Sequence, residues 1–143
     1  MKWSKKHTWV CGGLLVLLFL IMAYMISFSK IQIKDLQSMT VVGAEDKAPI
    51  KITNQADLSA ISQMFHQTLF NDTLSCPFGY GKIILRMKNK SIVLYPALDG
   101  CYIFKEKNSQ RYIELKKEKY AKLMQILKKY GFEKSSFESE SEI

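Results

Sequence analysis

Residues Gly81 to Tyr95 read GKIILRMKNKSIVLY and carry the clearest signal for a fold. Gly81–Met87 and Ser91–Tyr95 are rich in β-branched and other apolar residues, which predicts two strands. The polar tripeptide Lys88 to Lys90 lies between them and is typical of a tight turn. The stretch therefore predicts a β-hairpin, around which the rest of a folded domain can be arranged.

Shorter strand signals flank the hairpin on both sides. Before it lie an extended segment that begins at Ile31 and leads into Met39–Val42, and a short apolar stretch, Ile50–Ile52. After it lie Cys101–Lys105 and Arg111–Leu115. Because consecutive strands joined by short loops usually pair antiparallel, we expect one antiparallel sheet of about four to six strands.

Two amphipathic helices bracket the later strands. The first is predicted from an N-cap at Asn54, or the residue before it, to about Leu69. Its apolar positions recur every three or four residues: Leu58, Ile61, Phe65 and Leu69. The second is predicted from about Lys116 to Tyr130, where Gly131 and Phe132 fit a Schellman C-cap. The whole pattern predicts an α+β domain with both helices on one face of the sheet.

A stretch of twenty uncharged residues, Trp9–Phe28, precedes this domain. At about 1.5 Å of rise per residue, such a helix is roughly 30 Å long, which matches the hydrocarbon core of a bilayer. We predict an uncleaved transmembrane helix that binds membrane lipid; a cleaved signal peptide ending at Ser29 is the alternative. Three lysines precede the stretch and two follow closely, which favours a cytoplasmic N-terminus.

The chain therefore divides into four predicted parts. Residues 1–8 form a basic cytoplasmic tail, 9–28 the transmembrane helix, 29–133 an extracytoplasmic α+β domain and 134–143 a disordered acidic tail. The chain is basic, with 21 Lys and Arg against 13 Asp and Glu and a formal net charge of +8. A basic surface attracts anions, and the predicted compartment, outside the plasma membrane, argues against nucleic acid. The expected partner is an envelope protein, a peptide or an anionic wall polymer.

The lysines of the second helix are the candidate contact for an anionic surface such as lipid or wall polymer. They are Lys116, Lys119, Lys122 and Lys129. The alternative is that these side chains form an ordinary solvated helix face.

Two cysteines lie in the predicted domain and bear on its compartment. If the hairpin forms, Cys101 can return close to Cys76, and we predict a disulfide between them. The closed loop holds 26 residues, which corresponds to about 3–4 kcal/mol of stabilisation in the loop-entropy estimate. A disulfide agrees with a domain outside the cell. The alternative is two buried thiols in a cytoplasmic domain.

Motifs for catalysis or cofactor binding are missing from the sequence. The two histidines, His7 and His66, and the cysteines lack the spacing of a metal site, and no phosphate-binding loop is present, so we expect neither metal nor cofactor. The order His66, Cys101, Arg111 is similar to that of sortases, which use a Cys nucleophile with His and Arg. This Cys-dependent transpeptidase is the enzyme alternative, but pairing with Cys76 would remove the nucleophile, so we predict a protein that is not an enzyme.

The chain also resembles a group of known proteins. The residues are Cys76-Pro-Phe-Gly-Tyr-Gly81, Tyr95-Pro-Ala-Leu-Asp-Gly-Cys101, Tyr112-Ile-Glu-Leu115 and Lys129-Tyr-Gly-Phe132. They resemble small extracytoplasmic α+β domains, with paired cysteines and an N-terminal signal or anchor, from Bacillus-type Gram-positive bacteria. The resemblance covers about Ile50 to Phe132 and implies a location in the bacterial envelope. It implies no activity, so the predicted function is a binding or accessory module; a bacteriocin-immunity or stress-response membrane protein is a further alternative.

Overall fold

The structure is a computed structural model that describes residues 5–28, 31, 33–43, 48–66, 69–71, 74–98, 100–132 and 137. The chain forms two compact units, Met1–Lys30 and Ile31–Ile143. The described elements, in chain order, are α1 (Lys5–Phe28), β1 (Leu36–Val42), β2 (Ile50–Ile52), α2 (Gln55–Phe65), β3 (Phe70–Asn71), β4 (Lys82–Met87), β5 (Ser91–Pro96), β6 (Ile103–Glu106), β7 (Arg111–Glu114) and α3 (Lys117–Lys129).

The second unit contains one antiparallel sheet in the order β2-β1-β4-β5-β6-β7-β3. The predicted hairpin is β4–β5, in which Ile83 lies opposite Leu94 and Leu85 opposite Ile92. Six strands carry the sheet, and β3 adds two residues at one edge. The predicted α+β class is therefore confirmed for this unit, whereas β3 was missed because a two-residue strand has no period to detect.

One hydrophobic core lies between the sheet and the helices. Every second residue of the central strands contributes to it, and side chains such as Met39, Leu85 and Leu94 are fully buried. The ring of Phe104 in β6 lies 5.2 Å from that of Phe65 in α2 and 6.1 Å from that of Tyr120 in α3. Both helices therefore pack on the same face of the sheet.

Helix α2 begins as predicted and ends earlier than predicted. The side chain of Asn54 accepts a hydrogen bond of 3.1 Å from the backbone N–H of Asp57, which makes Asn54 the N-cap. The helix stops at Phe65, not near Leu69, because the backbone leaves helical geometry at His66. Leu69 is nevertheless buried. It lies in the segment after the helix, but its spacing from Phe65 matches a helix, so the predicted helix was too long.

Helix α3 ends in the predicted Schellman cap. The N–H of Phe132 donates to the carbonyl of Leu127 at 3.0 Å, and the N–H of Gly131 donates to Lys128 at 2.9 Å. Gly131 has φ of +81°, a conformation that costs glycine little. Phe132 is buried in the core, so the cap also directs the chain back against the domain.

Phe137 lies within the segment for which the sequence predicts disorder, yet its side chain is buried in the core. Its ring centroid is 4.6 Å from that of Phe132. An added Cβ at Gly81 would lie 2.7 Å from the Phe137 ring, and one at Gly79 would lie 2.6 Å from its carbonyl oxygen. Phe137 therefore packs directly against the backbone at Gly79 and Gly81, where any larger residue would clash with it. The other residues of the predicted tail, and residues 1–4 of the predicted N-terminal tail, lie outside the described residues.

The first unit consists of helix α1, whose described side chains are those of Gly12–Tyr24. Its large apolar side chains from Leu14 to Tyr24 are between 51% and 76% exposed. Within the part of the chain whose side chains are described, which in α1 is Gly12–Tyr24, no helix is long and apolar enough to cross a membrane.

Candidate functional site

The two cysteines of the domain lie side by side. Their Sγ atoms are 3.0 Å apart, and both residues are half-buried. Cys76 lies in the irregular segment before β4, and Cys101 lies just before β6. The structure thus brings together the pair that the sequence predicts. The distance is longer than the S–S bond of about 2.05 Å, so the disulfide itself stays a prediction.

Backbone contacts hold the two cysteine-bearing segments together. The N–H of Leu98 donates to the carbonyl of Pro77 at 3.0 Å, and Phe78 forms an antiparallel bridge with Ala97. These contacts connect the residues after Cys76 to those before Cys101. The proximity of the sulfurs is therefore built into the backbone and does not depend on a covalent bond.

Three aromatic side chains, Phe70, Phe78 and Tyr112, form what we call the aromatic cluster. The rings of Phe78 and Tyr112 are stacked, with centroids 5.9 Å apart, and the ring centroid of Phe70 lies 5.8 Å from that of Tyr112. The Nζ atom of Lys105 is 5.9 Å from the centroid of Phe78, within the usual range of a cation–π contact.

The aromatic cluster lies on the face of the sheet opposite the helices. Lys105 pairs with Tyr112, which in turn pairs with Phe70, so these side chains occupy one cross-strand row. The neighbouring row contains Phe104 and Ile113, which point into the core. Successive residues of a strand point to opposite faces. The cluster and the partly exposed Lys105 therefore form a surface that α2 and α3 do not cover.

The cysteine pair and the aromatic cluster are connected through Phe78. This residue lies two positions after Cys76, and its ring covers Tyr112, which is only 5% exposed. Any bond between Cys76 and Cys101 would restrain the segment that positions Phe78. The two features together are the candidate functional site of the domain.

A second polar cluster joins the two helices. The Oδ2 atom of Asp57 accepts hydrogen bonds from Lys129 Nζ at 2.8 Å and from the Tyr130 hydroxyl at 2.6 Å. The hydrogen bond from Lys129 lowers the pKa of Asp57 most, and the hydrogen bond from Tyr130 lowers it further. The same contacts with Asp57 raise the pKa of Lys129 and of Tyr130. This cluster links the start of α2 to the end of α3.

The residues of the transpeptidase alternative have other local partners. Arg111 is paired with Glu106, with Nη2 and Nε at 2.6 and 2.8 Å from Oε2. Cys101 lies against Cys76, and His66 is an exposed residue at the end of α2. An oxyanion-binding guanidinium must face the reacting carbonyl, whereas that of Arg111 faces a carboxylate. These contacts give the transpeptidase no support.

The lysines predicted to contact an anionic surface lie along α3, and Lys116 is its N-cap residue. Lys129 is engaged by Asp57, so it does not present a free charge to a partner. Lys117 and Lys128, which the prediction did not include, are also exposed on this helix. The predicted contact with an anionic surface stays a prediction.

Comparisons with protein-family models, curated proteins and solved structures found no match to this chain. Within the described part of the chain, no three His, Cys, Asp or Glu residues are grouped so that they could hold a metal ion. The candidate site therefore has to be interpreted from its own geometry.

Sequence reasoning found the cysteine pair and missed the aromatic cluster. A signal for the cluster was present, because Tyr112 lies in a predicted strand, but strand alternation alone does not tell which face is covered. Phe70 and Phe78 lie between the first predicted helix and the predicted hairpin, where the sequence predicts no element, so their packing on Tyr112 could not be inferred from a periodic pattern.

Proposed function

We propose that the chain is a single-pass membrane protein of the cell envelope that displays a disulfide-linked α+β domain outside the cell as a binding or accessory module. The observation that carries the proposal is the exposure of the apolar side chains of α1 from Leu14 to Tyr24. Contiguous apolar surface of this kind is unfavourable in water and favourable in lipid.

The membrane anchor is supported by the whole stretch Trp9–Phe28, of which the side chains of Gly12–Tyr24 are described. The helix α1 extends over all of it, so every backbone polar group inside the stretch can be bonded within the helix, as a lipid environment requires. The apolar residues are distributed around the helix and leave no polar face, which is the pattern of a helix surrounded by lipid.

The outward location of the domain is supported by the cysteine pair. Two thiols held 3.0 Å apart by backbone contacts oxidise readily to a disulfide in the oxidising compartments outside the cytoplasm. The excess of lysines before α1 favours the same orientation. Phe70 and Phe78 of the aromatic cluster, together with Lys105, form the proposed contact surface, since half-exposed aromatic side chains are enriched where proteins bind one another. The proposed partner is another envelope protein or a peptide segment of one.

The anchor is tested by alkaline extraction of membranes from cells that produce the full chain. We expect the chain to stay in the membrane pellet, and a variant without residues 1–30 to appear in the soluble fraction. Release of the full chain by alkali would show that α1 is not an integral anchor.

The orientation is tested with a membrane-impermeant maleimide on intact cells. Before reduction, we expect no labelling of Cys76 or Cys101, because the disulfide blocks both; after reduction with an impermeant phosphine, both should be labelled. In a Cys11→Ser background, Cys76→Ser leaves Cys101 as the single thiol and serves as the control for reagent access. Labelling of Cys101 in that variant only after the cells are permeabilised would overturn the outward orientation.

A further inference from the structure

The structure contains a basic cleft that no predicted function uses. It lies where the chain enters the sheet and where the β4–β5 hairpin turns, and its volume is about 260 Å³. Its lining residues are Lys34, Asp35, Met87, Lys88, Asn89 and Lys90. From this cleft we infer a site that binds the phosphodiester group of an anionic lipid headgroup. The inference rests on the proposed membrane anchor, because that anchor supplies the lipid.

The backbone fixes the two walls of the cleft. Leu36 of β1 pairs with Met87 of β4, so Lys34 and Asp35, which precede β1, lie next to the turn that follows β4. The turn is closed by a hydrogen bond of 2.9 Å from the N–H of Met87 to the carbonyl of Lys90. Asp35 has φ of +54°, and this left-handed residue bends the chain at the mouth of the cleft. The lysines are therefore gathered by strand pairing.

The charges around the cleft favour an anion. Three ammonium groups, those of Lys34, Lys88 and Lys90, face one carboxylate, that of Asp35, which leaves an excess of two positive charges. All four side chains are exposed, and among the described residues none of them forms an ion pair or a hydrogen bond. Ammonium groups that outnumber the carboxylates in a cleft repel one another. A bound phosphate relieves this repulsion with charge-assisted hydrogen bonds.

The source of the phosphate follows from the sequence. Lys34 is only six residues beyond Phe28, the end of α1. An extended segment of six residues spans at most about 20 Å, and the phosphates of the membrane that holds α1 are the anions closest to such a tether. Met87 is 5% exposed and forms the apolar floor of the cleft, where it can contact the carbon atoms beside the phosphate. The occupant we commit to is therefore a lipid headgroup and not free phosphate.

The test uses the full chain, labelled with ¹³C-methyl methionine, in nanodiscs of phosphatidylcholine with increasing phosphatidylglycerol. The probe is the Met87 methyl signal, assigned by its loss in Met87→Leu, with the buried Met39 as an internal reference. We expect the Met87 signal to shift with the phosphatidylglycerol fraction and to saturate. The combined variant K34Q/K88Q/K90Q should weaken binding on the order of 100-fold, at about fivefold per lysine, and abolish the shift.

Two further variants separate this cleft from general attraction between a basic domain and an anionic membrane. The α3 variant, K117Q/K128Q combined with K107Q in the β6–β7 turn, removes the same charge from lysines outside both the cleft and the predicted anionic-surface contact, and it should leave the Met87 shift unchanged. Asp35→Asn should strengthen binding by about fivefold, because it removes the one negative charge and because Asn tolerates positive φ. A loss of the Met87 shift in the α3 variant, or unchanged binding in Asp35→Asn, would contradict a specific site.

The remaining outcomes are decisive as well. If the chain does not co-purify with the nanodiscs, the proposed anchor fails and this inference fails with it. If the chain co-purifies but Met87 does not respond to phosphatidylglycerol, only the cleft is refuted. If Met87 shifts with inorganic phosphate in nanodiscs of phosphatidylcholine alone, the cleft binds a soluble anion and the lipid source is wrong.

Discussion

At the scale of single residues, long-range contacts between side chains decide how the domain is held together. Asp57 and Tyr130 are 73 positions apart, yet their side chains form a hydrogen bond of 2.6 Å. Cys76 and Cys101 are 25 positions apart and touch through sulfur. Both contacts join segments that are far apart in the sequence, so single substitutions at these residues have measurable consequences.

We expect Cys76→Ser and Cys101→Ser to lower the free energy of unfolding of the oxidised protein equally, by about 3–4 kcal/mol for a loop of this length. The physical reason is that the open chain gains conformational entropy when it unfolds. Urea unfolding with and without reductant measures the effect, and in reductant the variants and the natural protein should differ little. Cys11→Ser is the control. A difference between the two domain variants in oxidising conditions would show that no bond joins them.

The cluster of Asp57, Lys129 and Tyr130 predicts a pH dependence of stability at both ends of the scale. The pKa of Asp57 is lowered on folding, so its stabilising contribution is present above the ordinary value of 3.8 and is lost as the pH falls through the lower folded value. The pKa of Tyr130 is raised from 10.0, so its contribution is present below that value and is lost as the pH rises through the higher one.

Asp57→Asn removes the acceptor charge and should flatten the pH dependence of stability at both ends. Thermal unfolding from pH 3 to pH 11 measures this. Tyr130→Phe is the matched variant: it should flatten each end only in part, because the hydrogen bond between Lys129 and Asp57 remains and also raises the pKa of Lys129. If the thermal stability of Asp57→Asn falls at acid pH as steeply as that of the natural protein, the loss of stability in acid is due to other carboxylates.

At the scale of elements, the strands and helices with regular apolar spacing could be predicted from the sequence. The β4–β5 hairpin, α3 and its C-cap at Gly131 each follow from a local pattern within a dozen residues or so. The end of α2 and the strand β3 could not, because Leu69 is buried from a non-helical segment and β3 has only two residues. Local patterns report what a segment prefers, whereas these features depend on what the segment packs against.

In the candidate site, the same distinction separates what was predictable from what was not. The closeness of Cys76 and Cys101 could be inferred because a hairpin returns the chain. The stacking of Phe78 on Tyr112 joins residues 34 positions apart in two segments without a shared period. The burial of Phe137 could not be predicted from the local composition, because the residues after it are polar and acidic.

The packing of Phe137 against Gly79 and Gly81 predicts that the Phe137 side chain stabilises the domain. Phe137→Ala should lower the free energy of unfolding by about 3–5 kcal/mol, the usual cost of removing a buried phenylalanine side chain. Removal of residues 138–143, which follow Phe137, is the control and should have little effect. Chemical denaturation of the three proteins makes the comparison.

Gly81→Ala tests the same contact from the other side. The new methyl group would lie 2.7 Å from the ring of Phe137, so it must displace that ring or be displaced. We therefore expect Gly81→Ala to destabilise the natural protein more than it destabilises the Phe137→Ala variant. Equal effects in the two backgrounds would show that Phe137 does not pack on Gly81.

At the scale of the whole molecule, the core and the apolar surface of α1 have separate roles. All members of the hydrophobic core belong to the unit that begins at Ile31. Helix α1 contributes no described residue to that core. The folding of the domain and the proposed insertion of α1 are thus separate physical problems.

We therefore expect residues 31–143 to fold without α1 into a soluble domain with a cooperative unfolding transition. Circular dichroism and dispersed methyl signals in NMR spectra check this. The same fragment in which Phe104 is replaced by alanine is the control for a damaged core, because that ring joins both helices to the sheet. Aggregation of the unaltered fragment would mean that α1 is needed for the domain to reach its fold.

The two outermost strands of the sheet, β2 and β3, are three and two residues long, and the middle residue of β2 is the exposed Lys51. Proteins confined to a membrane meet one another far more often than proteins in solution, since they share a surface and face the same way. A long bare strand at either border would then join the sheets of neighbouring copies. Edge strands this short, one of which carries a charged side chain, offer too few free backbone groups for the sheets of neighbouring copies to associate edge to edge. If the proposed anchor holds the domain on a membrane, the domain can therefore be crowded there and still stay a separate molecule.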